Sequence, residues 1–415
     1  MPLQLRTLDT FDDPHQALSA YVASDLAAFG EAMTAAELAV KAQLVDPARF
    51  VLAEWDDEPV GGAGSHALEL TLPGGATVPA AAVSDVGVAP THRRRGILTA
   101  LMREQLDALA AGGTPVAVLH ASEGAIYRRY GYGACTRWRH LRVDARRVQF
   151  RDDCPDPGGS LHLLPISEAH DMCAEVHDAV RRRVTGGLSR PASWWPAVLG
   201  EVDVYLGGVA GHLVMVHRDT TGRADGYAIY KVDQDWSRGQ ANHVVSVWEL
   251  VGTSTDVEVA LWRALVEHDL VATVTGQIAV DHPLFDVAVD GRQVGADWDQ
   301  DLLWARPLDV CAVLSARRYG APGHVVLAVE DAFLPEVGGT FELIVDDSGV
   351  GECRRTDADP QVHLQMSELG SVLLGGMSWR RLRRAGRVRV ASASVVDLAD
   401  AMFLVDPLPW CWVRF

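Results

Sequence analysis

At 415 residues the chain exceeds what one hydrophobic core usually supports, so two or three domains are expected. With 48% hydrophobic and 22% charged residues it falls among ordinary globular proteins and outside the disordered, collagenous and coiled-coil classes. The formal net charge of -18 disfavours nucleic acid or an anionic membrane as the main partner, since both are bound through Lys and Arg; it suits cationic substrates, or simply keeps the protein soluble.

Met1 to Asp13 lacks a basic segment followed by an apolar one, and no later stretch approaches the ~18 uncharged apolar residues of a membrane span, so a cytoplasmic protein is expected. Extended runs at 50–55, 78–88 and 116–120, separated by helical patterns, predict a mixed α/β first domain. The clearest helix follows Ala89-Pro90-Thr91. Its apolar stripe runs through Ile97, Leu98, Leu101, Met102, Leu106 and Leu109, and Gly112-Gly113 ends it. A Pro/Gly/Asp cluster at 151–160 places the first domain boundary.

A second α/β pattern follows, with strands at 226–232 and 244–250 and an amphipathic helix at 257–268, although no sequence repeat proves duplication. From about Arg306 the texture becomes α+β: a helix at 308–317, strands at 324–329 and 340–345, then two short helices. The Arg-rich run 380–389 reads as a solvated helix face, with an anion site as the alternative. Cys135, Cys154, Cys173, Cys311, Cys353 and Cys411 lie far apart without metal-ligand spacing, so neither zinc nor a disulfide framework is expected.

The chemistry concentrates in Asp85-Val86-Gly87-Val88-Ala89-Pro90-Thr91-His92-Arg93-Arg94-Arg95-Gly96-Ile97-Leu98. A Val-rich strand ends there and an Arg/Gly turn opens the long helix, so unpaired N–H groups and the positive helix end converge where a diphosphate can sit. Arg93, Arg94 and Arg95 add charge-assisted donors, Gly96 permits close backbone approach, and the strand at Val86 and Val88 offers main-chain groups to an extended amide chain. A basic triplet by itself is more often a solvated face; its strand-turn-helix context raises it. The chain contains no G-x-x-x-x-G-K-[ST], H-E-x-x-H or G-x-S-x-G.

This stretch resembles the acetyl-CoA signature of the Gcn5-related N-acetyltransferase (GNAT) superfamily, Arg/Gln-x-x-Gly-x-Gly/Ala, with Leu98 where Gly or Ala is usual. Together with the later His120-Ala121-Ser122-Glu123-Gly124-Ala125-Ile126-Tyr127-Arg128-Arg129-Tyr130-Gly131-Tyr132-Gly133, it resembles the Eis-like (enhanced intracellular survival) acetyltransferases. Thr185-Gly186-Gly187-Leu188-Ser189-Arg190-Pro191 and the Leu-Trp-Arg-Ala-Leu of 261–265 extend that resemblance. It implies two tandem GNAT-like mixed α/β domains, 1–155 and 156–305, and a sterol-carrier-protein-like α+β domain, 306–415. It further implies a homohexamer using acetyl-CoA, without a metal, on cationic amines such as those of aminoglycosides, polyamines or lysine. Ser122 and Glu123 then lie beside the cofactor with Val86, Val88, Arg93, Arg94, Arg95, Gly96 and Ile97. The rival reading is a lipid- or hydrophobic-ligand-binding protein acting through the third domain.

Acetyl transfer to an amine needs a neutral nucleophile and a proton for the departing thiolate. A phenol of pKa ~10 can protonate a thiolate whose parent acid lies near ~8.5 on the cysteine scale. The resemblance assigns this role to Tyr127; without it, Tyr127, Tyr130 and Tyr132 would each read as core or surface residues. The resemblance also implies that the Phe415 α-carboxylate reaches the site. At pKa ~3.5 it is mismatched by about seven units with an alkylammonium near ~10.4, so it can orient a water or the amine but is a weak base unaided. His120, near pKa ~6.5, can assist as base or hydrogen-bond donor, or be structural. Asp85 and Asp25 are candidate acids on the acceptor side.

Overall fold

The structure, a computed structural model, describes residues 3–30, 32–199, 211–237 and 239–415. The chain divides into two units: Met1–Thr136 with Leu302–Phe415, and Arg137–Asp301.

The first unit opens with β1 (Gln4–Thr7), α1 (Pro14–Phe29), α2 (Ala35–Leu44), β2 (Phe50–Trp55), β3 (Glu58–Thr71), β4 (Thr77–Val88), α3 (Ile97–Ala111), β5 (Val116–His120), α4 (Gly124–Tyr127) and β6 (Gly133–Ala134). Local chemistry sets these elements. The Asp13 carboxylate accepts the His15 and Gln16 N–H groups with Pro14 in the first turn, and Gly30 ends α1 in the left-handed region. Thr34 and Glu37 form a reciprocal capping box on α2. Alternate residues of β2 face opposite sides, so Phe50 and Leu52 pack with Tyr21 and Val22 of α1, while Val51 and Ala53 pack with Ile97 and Leu101 of α3. Helices thereby cover both faces of the sheet.

The second unit contains β7 (Arg137–Asp144), β8 (Ser160–Leu164), α5 (Ile166–Arg181), α6 (Trp195–Leu199), β9 (Leu213–Arg218), β10 (Ala224–Asp233), the small hairpin β11 (Trp236–Ser237) and β12 (Gln240–Ala241), β13 (His243–Gly252), α7 (Thr255–Val266), β14 (Val271–Ala279), α8 (Leu284–Val287) and β15 (Val294–Asp301). Its main sheet runs β15-β7-β14-β13-β10-β9-β8. The core gathers Trp262, Leu261 and Leu265 of α7 against Val245, Val247 and Val274 of the sheet.

The chain returns to the first unit with β16 (Leu303–Pro307), α9 (Val310–Ala316), β17 (Gly323–Glu330), β18 (Gly339–Val345), β19 (Gly351–Arg355), β20 (Val362–Gln365), α10 (Met366–Val372), α11 (Trp379–Arg384), β21 (Val388–Val390) and α12 (Ala393–Phe403). Strand β16 inserts into the first sheet, whose order is β1-β2-β3-β4-β5-β16-β6, and a third sheet runs β19-β18-β17-β20-β21. Three helices rather than the expected two close this part. The guanidinium of Arg306, fully buried, donates to Tyr130 O at 2.6 Å and to Asp331 Oδ2 at 2.7 Å. One charge-assisted network thus links the two stretches of the unit. No helix among the described residues is long and apolar enough to cross a membrane.

Candidate active site

Strands β4 and β5 pair in parallel only from Ala80 to Val83 and from Val116 to Leu119. Beyond that point β4 stays with β3 while β5 stays with β16, so the two strands part. A bulge shapes the opening. Gly64 pairs with Ser84 and Gly62 with Gly87, leaving Asp85 and Val86 opposite Ala63 alone, and Asp85 takes a φ of 51°. At the far side of the opening, Gly96 with φ 83° precedes α3, and no side chain caps that helix. The first intrahelical bond runs from Ala100 N–H to Gly96 O at 3.0 Å, so α3 directs uncapped N–H groups at the turn.

Arg93, Arg94 and Arg95 are exposed on that turn. Arg93 donates to Ala28 O at 2.7 Å, which ties the turn to the end of α1, and the Arg95 guanidinium lies 5.4 Å from the Trp55 ring. Ile97 is buried and anchors the helix start. An uncapped helix end, a glycine with left-handed φ and three exposed guanidinium groups fit a pyrophosphate, and the half-buried strand at Val86 and Val88 fits a pantetheine arm.

Asp25, buried on α1, sets its Oδ1 only 2.5 Å from where a Cβ on Gly87 would stand, so its carboxylate lies directly on β4. Tyr127 is buried, and its pKa is pushed up to about 12 by that burial, then by the Asp25 and Tyr130 charges, while a hydrogen bond with Ser122 acts in the opposite direction. The phenol therefore keeps its proton at neutral pH. Glu123 is exposed beside it, just before α4.

His120 ends β5 with its Nε2 buried and without a hydrogen-bond partner, and its ring lies 4.4 Å from that of Phe415. Burial, and secondarily the charge of Arg414, depresses its pKa to about 3. It is a neutral imidazole, and a weak base, at physiological pH. Cys411, Trp412 and Val413 are buried just before it, so the segment leading to Phe415 is packed.

Asp25, Ser122 and Tyr127 thus come together, as do His120 and Phe415. Asp85 has a different neighbourhood: its Oδ1 meets Lys41 Nζ at 2.8 Å, and its carbonyl accepts the Tyr21 hydroxyl. Sequence reading passed over Lys41, Tyr21 and His66, whose pKa falls to about 4 through burial against the opposing pull of Asp85. Only the T-x-x-E capping box at Thr34, which announces α2, could have pointed to Lys41.

The second unit repeats the geometry without this chemistry. Strands β13 and β14 are parallel and α7 follows β13, but Ser254 Oγ caps the Val257 N–H and Asp256 and Glu258 occupy the first turn. Those groups satisfy and repel where α3 would attract an anion. Beside the third sheet, a cavity of about 740 Å³ has mixed walls, with Glu330, His363, Glu368, Arg387 and Arg389 beside Ala328, Val329 and Leu364.

Residues 15–135 and 186–306 each match a family described as Acetyltransferase (GNAT) domain, and residues 310–412 match Sterol carrier protein domain. N-acetyltransferase Eis of Mycobacterium tuberculosis is 36% identical over 345 residues, covering 82% of this chain and 81% of the relative. An uncharacterised N-acetyltransferase of Streptomyces coelicolor is 36% identical over 85% of this chain and 84% of its own length. The crystal structure of Eis1 from Mycobacterium abscessus superposes with a TM-score of 0.85 at 33% identity, covering 100% of both chains. With two GNAT domains, a sterol-carrier-like domain and this degree of identity, the chain belongs to the Eis family of acetyl-CoA-dependent N-acetyltransferases in the GNAT superfamily.

Proposed function

We propose that the first unit transfers acetyl directly to a primary amine of a cationic substrate, of the aminoglycoside, polyamine or lysine type. Bound acetyl-CoA supplies an acetyl thioester. In this reading Arg93, Arg94, Arg95, Gly96 and Ile97 hold its pyrophosphate, Val86 and Val88 its pantetheine, and Ser122 and Glu123 flank the thioester end. Tyr127 holds the proton that the departing sulfur needs. The Phe415 α-carboxylate orients the amine or a water that relieves it of a proton, and the carboxylate of Asp25 attracts the cationic substrate. His120 positions the Phe415 ring.

The observation that carries the reading is the contact of the Phe415 ring with His120 at the end of β5, supported by Tyr127 as a buried, protonated phenol that feels the Asp25 charge. Tyr127→Phe keeps the ring and removes the proton, so kcat should fall by about 10²–10⁴ with acetyl-CoA affinity retained. Extending the chain by a few residues past Phe415 displaces the carboxylate and should depress turnover comparably in a protein of unchanged melting temperature. Full turnover in the extended protein would remove Phe415 from the mechanism. We also infer a homohexamer from the family resemblance; a 44.9 kDa particle in light scattering would refute it.

A further inference from the structure

The second unit carries a cleft of about 540 Å³ lined by Arg142, Arg146, Arg147 and Arg292 together with Thr273 and Gln293. Small-ligand pockets fall in this size range. The sheet builds its floor: Arg142 pairs with Gly295 of β15, and Asp144 pairs with Thr273 of β14. Val143 between them is buried, so Arg142 and Asp144 share the opposite face. Gly295 brings no side chain beside Arg142, which leaves the cleft its depth.

Two bonds fold the chain back after β7, from Arg147 N–H at 3.1 Å and Val148 N–H at 3.0 Å, both to Asp144 O, and bring Arg146 and Arg147 to the rim. Opposite them, a 3-10 turn capped by Asp290 presents Arg292. Asp290 feels both sides: its carboxyl is held below the ordinary range by the Arg292 N–H, the Gln293 amide and the charges of Arg292 and Arg147. Arg146 is anchored, donating to Ala241 O and, at 2.8 Å, to Asn242 Oδ1.

Among the described residues no carboxylate forms an ion pair within 4.0 Å of Arg142, Arg147 or Arg292, and Asp144 is the one carboxylate in the lining. Some exposed arginines elsewhere on this acidic chain do meet a carboxylate: Arg263 with Glu267 and Arg380 with Asp397. Three neighbouring guanidinium groups around a concave surface, offset only by the through-space charge of Asp290 and by Asp144, repel one another, and a multiply charged anion relieves that repulsion.

We infer that this cleft binds a small molecule bearing two or more linked phosphates, gripped by Arg142, Arg147 and Arg292 and oriented by the Thr273 hydroxyl and the Gln293 amide. The site belongs wholly to the second unit and is separate from the turn before α3.

The test is calorimetric titration of the full-length Arg93→Ala/Arg95→Ala protein, in which the phosphate-binding turn before α3 is disabled, with inorganic tripolyphosphate at low salt, alongside inorganic phosphate. One tripolyphosphate should bind per chain, with inorganic phosphate at least about ten-fold weaker. Arg147→Ala and Arg292→Ala should each weaken tripolyphosphate about ten-fold or more, as expected for charge-assisted bonds. Both side chains are exposed, so folding should survive, as circular dichroism would verify. The wild type should keep this site and add binding at the turn before α3. The inference is overturned, in the Arg93→Ala/Arg95→Ala protein, by absent saturable binding, by equal affinity for inorganic phosphate, or by unchanged affinity once Arg147→Ala and Arg292→Ala are added.

Discussion

Lys41 Nζ and Asp85 Oδ1 meet at 2.8 Å with side chains only 3% and 8% exposed, at a bulge whose φ of 51° few residues other than glycine adopt. The pair matches the Asp85 charge inside the protein and, with the Tyr21 hydroxyl on the Asp85 carbonyl, pins the bulge from the α1–α2 side. None of this was legible in the sequence, because Lys41 sits on a helix of unremarkable pattern far from Asp85 along the chain. Tyr127 and His120 were legible, since they fall inside a motif. What the motif could not give is the protonation of His120. Folding holds His120 neutral, with its pKa depressed to about 3, whereas an unfolded histidine takes a proton below about 6.5. The unfolded state therefore binds the extra proton over that window. Stability present above about pH 6.5 is lost as pH falls, by about 1.4 kcal/mol per pH unit from this one ring. His120→Gln should flatten the decline in chemical-denaturation stability between about pH 6 and 4 by that amount; parallel curves for the two proteins would show that the ring is not held neutral.

The α3 turn was the element most fully readable, because it joins a periodic helix stripe to a glycine and a basic run, and the structure puts Ile97, Leu101, Met102, Leu106 and Leu109 on its buried face. The turn's basic residues divide their work. Arg93 bonds to Ala28 O and so braces the turn, while Arg95, near Trp55, keeps its charge on the outside. Arg93→Ala with Arg95→Ala should weaken acetyl-CoA binding by about ten-fold or more in calorimetry, given charge-assisted bonds worth roughly 1.5–3 kcal/mol. Arg95→Ala alone should lower affinity without altering melting temperature, whereas Arg93→Ala should alter both. Unchanged affinity in the double variant would move the pyrophosphate away from this turn. The Arg-rich run near 380–389 shows the other outcome for a basic cluster: Arg380 pairs with Asp397 and Arg387 with Glu368, so it ties elements together. Only spatial neighbours distinguish the two cases, and those neighbours are remote in sequence.

At the scale of the whole molecule, the composition of the first sheet escaped sequence reading. Strand β16 pairs with β5 from Leu303↔His120 to Pro307↔Val116, and with β6 at Trp304↔Ala134. Local pattern identifies a strand but not its partner across a long intervening segment. Helix α10 seals the join so closely that a Cβ on Gly133 would fall 1.8 Å from Ser367 O. The insertion sets a timetable for biogenesis. A nascent chain that has released only residues 1–136 presents β5, with its buried Val116, Ala117, Val118 and Leu119, as an unpaired edge until residue 307 emerges and the missing strand arrives. Expressed alone, residues 1–136 should aggregate, and co-expression with residues 302–415 should recover soluble material; a soluble, monomeric 1–136 fragment would show that the edge protects itself. In the cell, the catalytic sheet would then depend on a chaperone or on the ribosome surface to shield that edge throughout synthesis of the second unit.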